Sequence, residues 1–257
     1  MPFLRRTDGS RLYYECHGSP EREPVVLLEG LGGDIPGWRR NIPTLSREAF
    51  VVAYDFRGNG LSDAPDEPMS MATFVDDTVA LLDELGLGPA HLYGQSFGGM
   101  VAQELALAHP GRVRTLILAA THCGGRRVVR SDAKVPKDRP YLQLYSEAFA
   151  REHPDHVRED LRVGKQNPPS LRGQRRQREA IQGFDVCDRL GEIAVPVLIL
   201  HGTEDRMINP ENGRILSERI PGAELVLLKG AGHLYHSEQP EAADRAVLDF
   251  IGRHSGG

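Results

Sequence analysis

The length, composition and charge of this chain fit an ordinary globular protein. It has 257 residues, of which 40% are hydrophobic and 26% charged, and its formal net charge is −5. These values argue against a disordered or membrane-embedded chain, and the lack of an overall basic character argues against a nucleic-acid partner. Charged residues occupy the N-terminus where a signal peptide would need an apolar run, and no stretch is long enough to span a bilayer, so we expect a cytoplasmic protein.

Short apolar runs alternate with amphipathic stretches along most of the chain. Strands are predicted at residues 12–16, 25–28, 51–54, 115–120, 197–201 and 224–228, and one more apolar strand runs into Gly94. Helices are predicted at 38–48, at 70–85 with Ser70 as the N-cap, directly after Ser96, and at 240–254. Apolar runs such as TLILAA are typical of parallel strands buried on both faces. The alternation therefore indicates an α/β fold with a mostly parallel sheet.

The alternation stops between residues 122 and 190, where the composition also changes. This segment carries 15 Lys and Arg against 10 Asp and Glu, so it is near +5 while the rest of the chain is near −10. We expect residues 122–190 to form a helical lid, and residues 1–121 and 191–257 to form the core. One cluster of basic residues is interpreted as a solvated helix face, with the alternative that one member holds an acidic substrate. This cluster consists of Arg172, Arg175, Arg176 and Arg178.

The cysteines do not suggest a disulfide framework or a metal site. Cys16, Cys123 and Cys187 are odd in number and widely spaced. Disulfide-rich proteins and clustered metal sites use even or closely spaced cysteines. We therefore expect three reduced cysteines with structural roles.

The segment at residues 91–108 contains the strongest chemical signal in the chain. A strand runs into Gly94-Gln95-Ser96-Phe97-Gly98 and continues directly into a helix. Gly94 and Gly98 lack the Cβ atoms that would clash when a strand turns sharply into a helix. The turn should expose the hydroxyl of Ser96 above the sheet edge, with the backbone N–H of Phe97 facing the space where an oxyanion could form. Ser96 is therefore predicted to be a nucleophile.

A serine hydroxyl needs a base within hydrogen-bond reach and a group that orients the base. Asp205 follows the predicted strand at 197–201, and His233 follows the one at 224–228. Loops at the carboxyl ends of parallel strands gather functional groups, so we assign His233 as the base and Asp205 as its orienting acid. Glu204 is the alternative acid. His236 is the alternative base, with a solvent-facing or capping role as the other interpretation.

The substrate pocket is predicted less directly, because its shape depends on the lid. The other histidines are interpreted as surface or helix-end residues, except for one that follows a central strand at the start of the lid. Apolar side chains near the site and in the lid suggest an apolar pocket. The predicted pocket residues are Trp38, Met100, His122, Tyr141 and Tyr145.

The order Ser96, Asp205, His233 resembles that of the α/β-hydrolase superfamily, and two further motifs carry the same resemblance. Residues 55–62, DFRGNGLS, resemble the family's D-x-R-G-x-G-x-S loop, and residues 232–240 resemble its G-H-x-x-x-x-E-x-P ending. The resemblance covers nearly the whole chain. It implies a mostly parallel eight-stranded sheet flanked by helices, with a lid inserted after the sixth strand. It also implies that the backbone N–H of Leu31 is the second oxyanion donor.

The chain departs from the family pattern at two positions. Glu29 stands where the loop after the third strand usually has histidine, and Asn59 stands where many relatives have histidine. A carboxylate beside a developing oxyanion would raise the barrier, so Glu29 must point away, pair with a cation or stay protonated. We expect Glu29 to hydrogen-bond the backbone of a neighbouring loop. We attach no functional meaning to Asn59.

The resemblance implies a serine hydrolase that cleaves a carboxylic ester or lactone without a cofactor or metal. The expected partner is a small-molecule ester or lactone with an apolar acyl or alcohol part. A serine at this position argues against haloalkane dehalogenases and epoxide hydrolases, which use aspartate there. The alternatives are a carbon–carbon bond hydrolase of a vinylogous diketone, a cofactor-free perhydrolase and, more remotely, a ligand-binding sensor. The sequence does not predict the oligomeric state.

Overall fold

The computed structural model describes residues 2–255. Within this range the strands are β1 (Phe3–Arg5), β2 (Arg11–His17), β3 (Pro24–Leu28), β4 (Phe50–Tyr54), β5 (Ala90–Gln95), β6 (Val113–Ala119), β7 (Val197–Gly202) and β8 (Glu224–Leu228). The helices are α1 (Ile42–Leu45), α2 (Met71–Glu84), α3 (Phe97–Ala108), α4 (Glu147–Glu152), α5 (Pro154–Val163), α6 (Leu171–Gln182), α7 (Glu211–Arg219), α8 (Tyr235–Glu238) and α9 (Pro240–His254).

The strands form one eight-stranded sheet in the order β1-β2-β4-β3-β5-β6-β7-β8. β1 and β2 are antiparallel to their neighbours, while β3 to β8 are parallel. The expected α/β fold with a mostly parallel sheet is therefore confirmed. β5 lies at the centre, so the turn that follows it opens at the middle of the carboxyl edge.

Two hydrophobic cores cover the two faces of the sheet. Successive residues of a strand point to opposite faces, and β3 shows this period directly. Val26 and Leu28 pack with the apolar faces of α2 and α3, while Val25 and Leu27 pack with α1 and α9. Burial on both faces explains why the central strands read as continuous apolar runs.

Most predicted elements are found close to their predicted bounds. α9 coincides with the predicted helix at 240–254, and α2 begins directly after Ser70. Ser70 has extended backbone angles, and its N–H donates to Thr73 Oγ1 at 3.1 Å, which caps the helix start.

The predicted helix at 38–48 is wrong. The chain forms a 3₁₀ turn at Ile35–Trp38 and then the single turn of α1. Pro43 has no N–H to donate within a continuous helix, so the chain starts a new turn there instead. β1 was not predicted, because three residues are too few to show a strand pattern.

The segment between β6 and β7 contains α4, α5 and α6, and a disulfide joins its two ends. Cys123 and Cys187 are bonded, with their Cα atoms 4.8 Å apart across a separation of 64 residues. The prediction of three reduced cysteines was therefore wrong for this pair, while Cys16 is free and exposed. The pairing arises because the segment returns to its starting point, which spacing in the sequence does not reveal.

Within residues 2–255, none of the helices has the length and apolar character needed to cross a membrane.

Candidate active site

Ser96 lies in a strained turn between β5 and α3. Its backbone has φ 52° and ψ −111°, a region that costs a residue with a Cβ about 1–3 kcal/mol. The adjacent glycines are required by close contacts: a Cβ on Gly94 would lie 2.4 Å from Gly98 O, and a Cβ on Gly98 would lie 2.1 Å from Leu28 O. The predicted sharp turn is confirmed. It gives Ser96 a place on the wall of a cavity of about 670 Å³.

Asp205 and His233 meet at the same edge of the sheet. Asp205 follows β7 and His233 follows β8, and these two strands are neighbours in the sheet. His233 Nδ1 lies 2.7 Å from Asp205 Oδ2, and both side chains are buried. His233 lines the same cavity as Ser96. The structure thus brings together the three residues singled out from the sequence.

The carboxylate of Asp205 accepts hydrogen bonds on both oxygens. Oδ1 accepts from the backbone N–H groups of Met207 and Ile208 at 2.8 and 2.9 Å. Burial alone would raise the pKa of Asp205, but the charge of His233 and the hydrogen bonds from His201 and His233 outweigh it. The pKa of Asp205 therefore lies well below its usual range, and the group stays ionised.

His201 is a contact of Asp205 that the sequence did not reveal. Its Nε2 lies 3.2 Å from Asp205 Oδ2 and 3.0 Å from the carbonyl oxygen of Ile208. A carbonyl only accepts hydrogen bonds, so Nε2 must carry the proton. His201 is completely buried, which contradicts its interpretation as a surface or helix-end residue. Its place near the end of β7, four residues before Asp205, was the available signal.

The alternative acid and base occupy different positions. Glu204 is exposed, whereas Asp205 is buried against His233. His236 packs against Trp38 with ring centroids 4.8 Å apart, and burial lowers the pKa of His236 to about 3. It is therefore a buried neutral ring, and the expected solvent-facing or capping role was wrong.

Two backbone N–H groups on the cavity wall are free to donate. Among the described residues, neither Leu31 N–H nor Phe97 N–H is used in a hydrogen bond, and both residues line the cavity. Phe97 is the first residue of α3, where N–H groups have no partner within the helix. Leu31 lies inside a turn closed by a hydrogen bond from Gly33 N–H to Gly30 O at 3.1 Å. This arrangement can hold a negatively charged oxygen.

Glu29 begins the loop at residues 29–33, hereafter the 29–33 loop. Its Oε1 accepts from the N–H of Gly30 at 2.9 Å, while Oε2 has no hydrogen-bond partner among the described residues. Burial raises the pKa of Glu29 to about 8, and the nearby charges of Asp34 and Asp55 add to the effect. The expected bond to a neighbouring loop was wrong, because the side chain turns back onto its own loop. Of the three options, the structure favours a protonated Glu29 at neutral pH.

Three of the five predicted pocket residues lie on the cavity wall. Met100, His122 and Tyr145 line it, while Trp38 and Tyr141 do not. Trp38 is buried in the core beneath the sheet, where its ring packs 4.8 Å from that of Tyr93. Tyr141 precedes the Gln143–Tyr145 stretch that reaches the cavity. Burial lowers the pKa of His122 to about 4, so this ring is neutral in the cavity.

The basic cluster in the segment between β6 and β7 faces several directions. Arg172 pairs with Asp66 at 2.6 Å, and Arg176 pairs with Glu179 at 2.9 Å. Arg178 alone of the four lines the cavity, at an exposed position.

Within residues 2–255, no group of three or more His, Cys, Asp or Glu side chains is arranged to hold a metal ion.

Comparison with known proteins places this geometry in a large family. The sequence profile described as "alpha/beta hydrolase fold" matches residues 23–240. The chain is 30% identical to the protein named "Putative carbamate hydrolase RutD" of Variovorax paradoxus, over 95% of this chain and 97% of that one. It is also 30% identical to 3-oxoadipate enol-lactonase 2 of Acinetobacter baylyi, with 92% and 91% covered. Among solved structures, the enol-lactonase from Burkholderia xenovorans superposes with a TM-score of 0.87 at 27% identity, over 98% of this chain and all of that one. The chain therefore belongs to the α/β-hydrolase family.

Proposed function

We propose that this hydrolase cleaves a carboxylic ester or lactone through an acyl-enzyme intermediate, with Ser96, Asp205 and His233 as its catalytic triad. The observation that carries the proposal is the 2.7 Å contact of His233 Nδ1 with Asp205 Oδ2, beside the cavity that also contains Ser96. Because Nδ1 donates to the carboxylate, Nε2 of a neutral His233 is left as the base.

In the first half of the reaction, Ser96 Oγ gives its proton to His233 Nε2 and bonds to the carbonyl carbon of the substrate. The carbonyl electron pair moves onto oxygen, and the N–H groups of Leu31 and Phe97 donate to this oxyanion. The carbonyl then re-forms as the bond to the alcohol oxygen breaks, and His233 protonates that oxygen. Water repeats the sequence in the second half and releases the acid.

Electrostatics support these assignments. Asp205 stays ionised, so its negative charge stabilises the positive charge that His233 acquires in each step. Glu29 is neutral below about pH 8, so it adds no negative charge near the oxyanion at neutral pH. The charge of Asp205 lowers the energy of the transition state relative to that of the resting enzyme, and the neutral state of Glu29 avoids the repulsion that an ionised carboxylate would add.

The cavity favours a small substrate with an apolar portion. Much of its wall is apolar, with residues such as Met100 and Leu144, while the exposed Arg178 also lines it. Two of the compared proteins are named enol-lactonases, and a third carries the name of a carbamate hydrolase. Lactones and carbamates both have the acyl carbon that a serine nucleophile attacks.

We also propose that residues 122–190 act as a lid over a core formed by residues 1–121 and 191–257. The cavity is lined by residues of both parts, including Tyr145 and Lys165 from this segment.

A cytoplasmic location stays a prediction from the N-terminal sequence. The Cys123–Cys187 disulfide argues instead for an oxidising compartment.

The test is a substrate panel of p-nitrophenyl esters, lactones, phenyl carbamates and a vinylogous diketone, assayed with wild type and Ser96→Ala. We expect ester or lactone turnover that falls by at least about 10³-fold in Ser96→Ala. Ser217→Ala, on the outer helix α7, is the matched control and should keep wild-type activity. Wild-type turnover by Ser96→Ala would refute the triad. Turnover of the diketone alone would refute ester or lactone cleavage while leaving the triad in place.

A further inference from the structure

Gln177 of α6 is a buried polar residue in a helix with five charged side chains. It is completely buried, and all its side-chain hydrogen bonds go to two core loops. Its Oε1 accepts from the N–H of Gly32 at 3.2 Å, while Nε2 donates to the carbonyl of Arg57 and to Asn59 Oδ1, both at 3.0 Å. These partners fix the orientation of the amide, because a flipped side chain would set N–H against N–H and oxygen against two oxygens.

Asn59 extends the same network to the other side of the turn. Its Nδ2 donates to the carbonyl of Gly33 at 2.7 Å. Gln177 and Asn59 together therefore hold Gly32 N–H and Gly33 O, while Glu29 Oε1 holds Gly30 N–H. The peptide groups on each side of the Leu31 N–H are thus fixed. Among the N–H groups of residues 30–33, only that of Leu31 has no hydrogen-bond partner in the described structure, and it stays free to donate into the cavity.

Close backbone contact seats α6 on the loop that carries Asn59. A Cβ on Gly58 would lie 2.4 Å from Gly173 Cα, and Gly58 also has φ +86°. The N–H of Ser170 donates to Gly58 O at 3.0 Å. A side chain at Gly58 or Gly173 would push α6 away from this loop. Gln177 therefore contacts both loops only when α6 packs directly against the core.

We propose that Gln177 is a positioning residue that holds the Leu31 N–H toward the oxyanion, with Asn59 as its partner. This inference rests on the proposed function. It gives the lid a role in assembling the oxyanion site, because α6 must be seated for the 29–33 loop to keep its shape. Losing a single oxyanion donor costs about 10²–10³ in kcat, so a misaligned donor should cost about 10-fold or more.

The main variant is Gln177→Met, which keeps the size of the side chain and removes its hydrogen bonds. We expect kcat for p-nitrophenyl acetate to fall about 10-fold or more, with KM changed less than about twofold, because the oxyanion forms only in the transition state. The affinity for a trifluoromethyl ketone, which forms an oxyanion on Ser96, should fall by a similar factor. Gln174→Met, one turn earlier and without a side-chain hydrogen bond among the described residues, is the matched control.

Asn59→Ala is the second variant, and it keeps the bonds of Gln177 to Gly32 and Arg57. We expect a smaller fall in kcat, and in a double variant a fall smaller than the product of the two single falls, because both residues act on the same turn. Equal kcat in Gln177→Met, Gln174→Met and wild type would overturn the inference, as would a fall in kcat without weaker ketone binding. If Gln177→Met does not fold, wild-type kcat and ketone affinity in Asn59→Ala would overturn it. These outcomes differ from a failure of the proposed function, in which Ser96→Ala would stay active.

Discussion

Replacing Glu29 with glutamine should change how the stability of the protein depends on pH. Glutamine is similar in size to glutamate. In the wild-type structure the nitrogen of Gly30 lies 2.9 Å from Glu29 Oε1, and the carbonyl oxygen of glutamine can accept the same hydrogen bond. The substitution removes only the ionisable group. It therefore isolates the effect of a carboxyl buried beside the proposed oxyanion site.

The magnitude follows from the pKa of Glu29, which burial raises from 4.5 to about 8. The folded protein keeps the proton over this range while the unfolded chain releases it, so stability falls as pH rises from about 4.5 through about 8. The difference of about 3.5 in pKa corresponds to about 5 kcal/mol of unfolding free energy, as an upper bound. The glutamine variant lacks this loss, so its stability relative to wild type should rise across the same interval.

The assay is urea unfolding of wild type and Glu29→Gln at pH 5 and pH 8.5. We expect the difference in unfolding free energy between the two proteins to shift by several kcal/mol in favour of the variant at the higher pH. Glu48→Gln, at an exposed carboxyl without an ion pair among the described residues, is the control and should show no such shift. An equal difference at both pH values would refute the conclusion that Glu29 is neutral in the folded protein.

Three further predictions test other parts of the structure. Asp205→Asn should lower kcat by about 10²–10⁴, because an amide cannot stabilise the protonated base; unchanged kcat in ester assays would contradict its role. Gly98→Ala should destabilise the fold by at least about 1–3 kcal/mol in urea titrations, since its Cβ would lie 2.1 Å from a carbonyl oxygen, whereas Gly111→Ala, with open space around it, should not. Reducing the Cys123–Cys187 disulfide should lower the free energy of unfolding by about 2–4 kcal/mol. If reductant still lowers the Tm of a variant in which both cysteines are replaced by serine, loss of this disulfide is not the cause.

Local patterns were enough to predict the sheet and the three proposed catalytic residues. Runs such as that of β6 are apolar because both faces of the strand are buried, so burial is visible in the sequence itself. Ser96 lies in a turn whose glycines are required by contacts of 2.1 to 2.4 Å, which leaves a signature in consecutive residues. Asp205 and His233 each follow a strand, so the sheet brings them to one edge.

Features that depend on distant contacts were not predictable in the same way. Trp38 is apolar whether it lines a pocket or fills the core, and only its packing against Tyr93 distinguishes the two. The Cys123–Cys187 pair depends on the path of 64 residues. Gln177 is one of three glutamines in a helix with five charged residues, and its burial depends on the docking of α6 against the core.

The central claim is that Ser96 is the nucleophile, and covalent labelling tests it most directly. Wild type would be incubated with a p-nitrophenyl phosphonate, and its mass, modified peptide and residual activity would be measured together. We predict one phosphonyl group per chain, attached to Ser96, with activity lost in proportion to labelling and no label in Ser96→Ala. Equal labelling of Ser96→Ala, or inactivation with the group attached to another residue, would contradict the account.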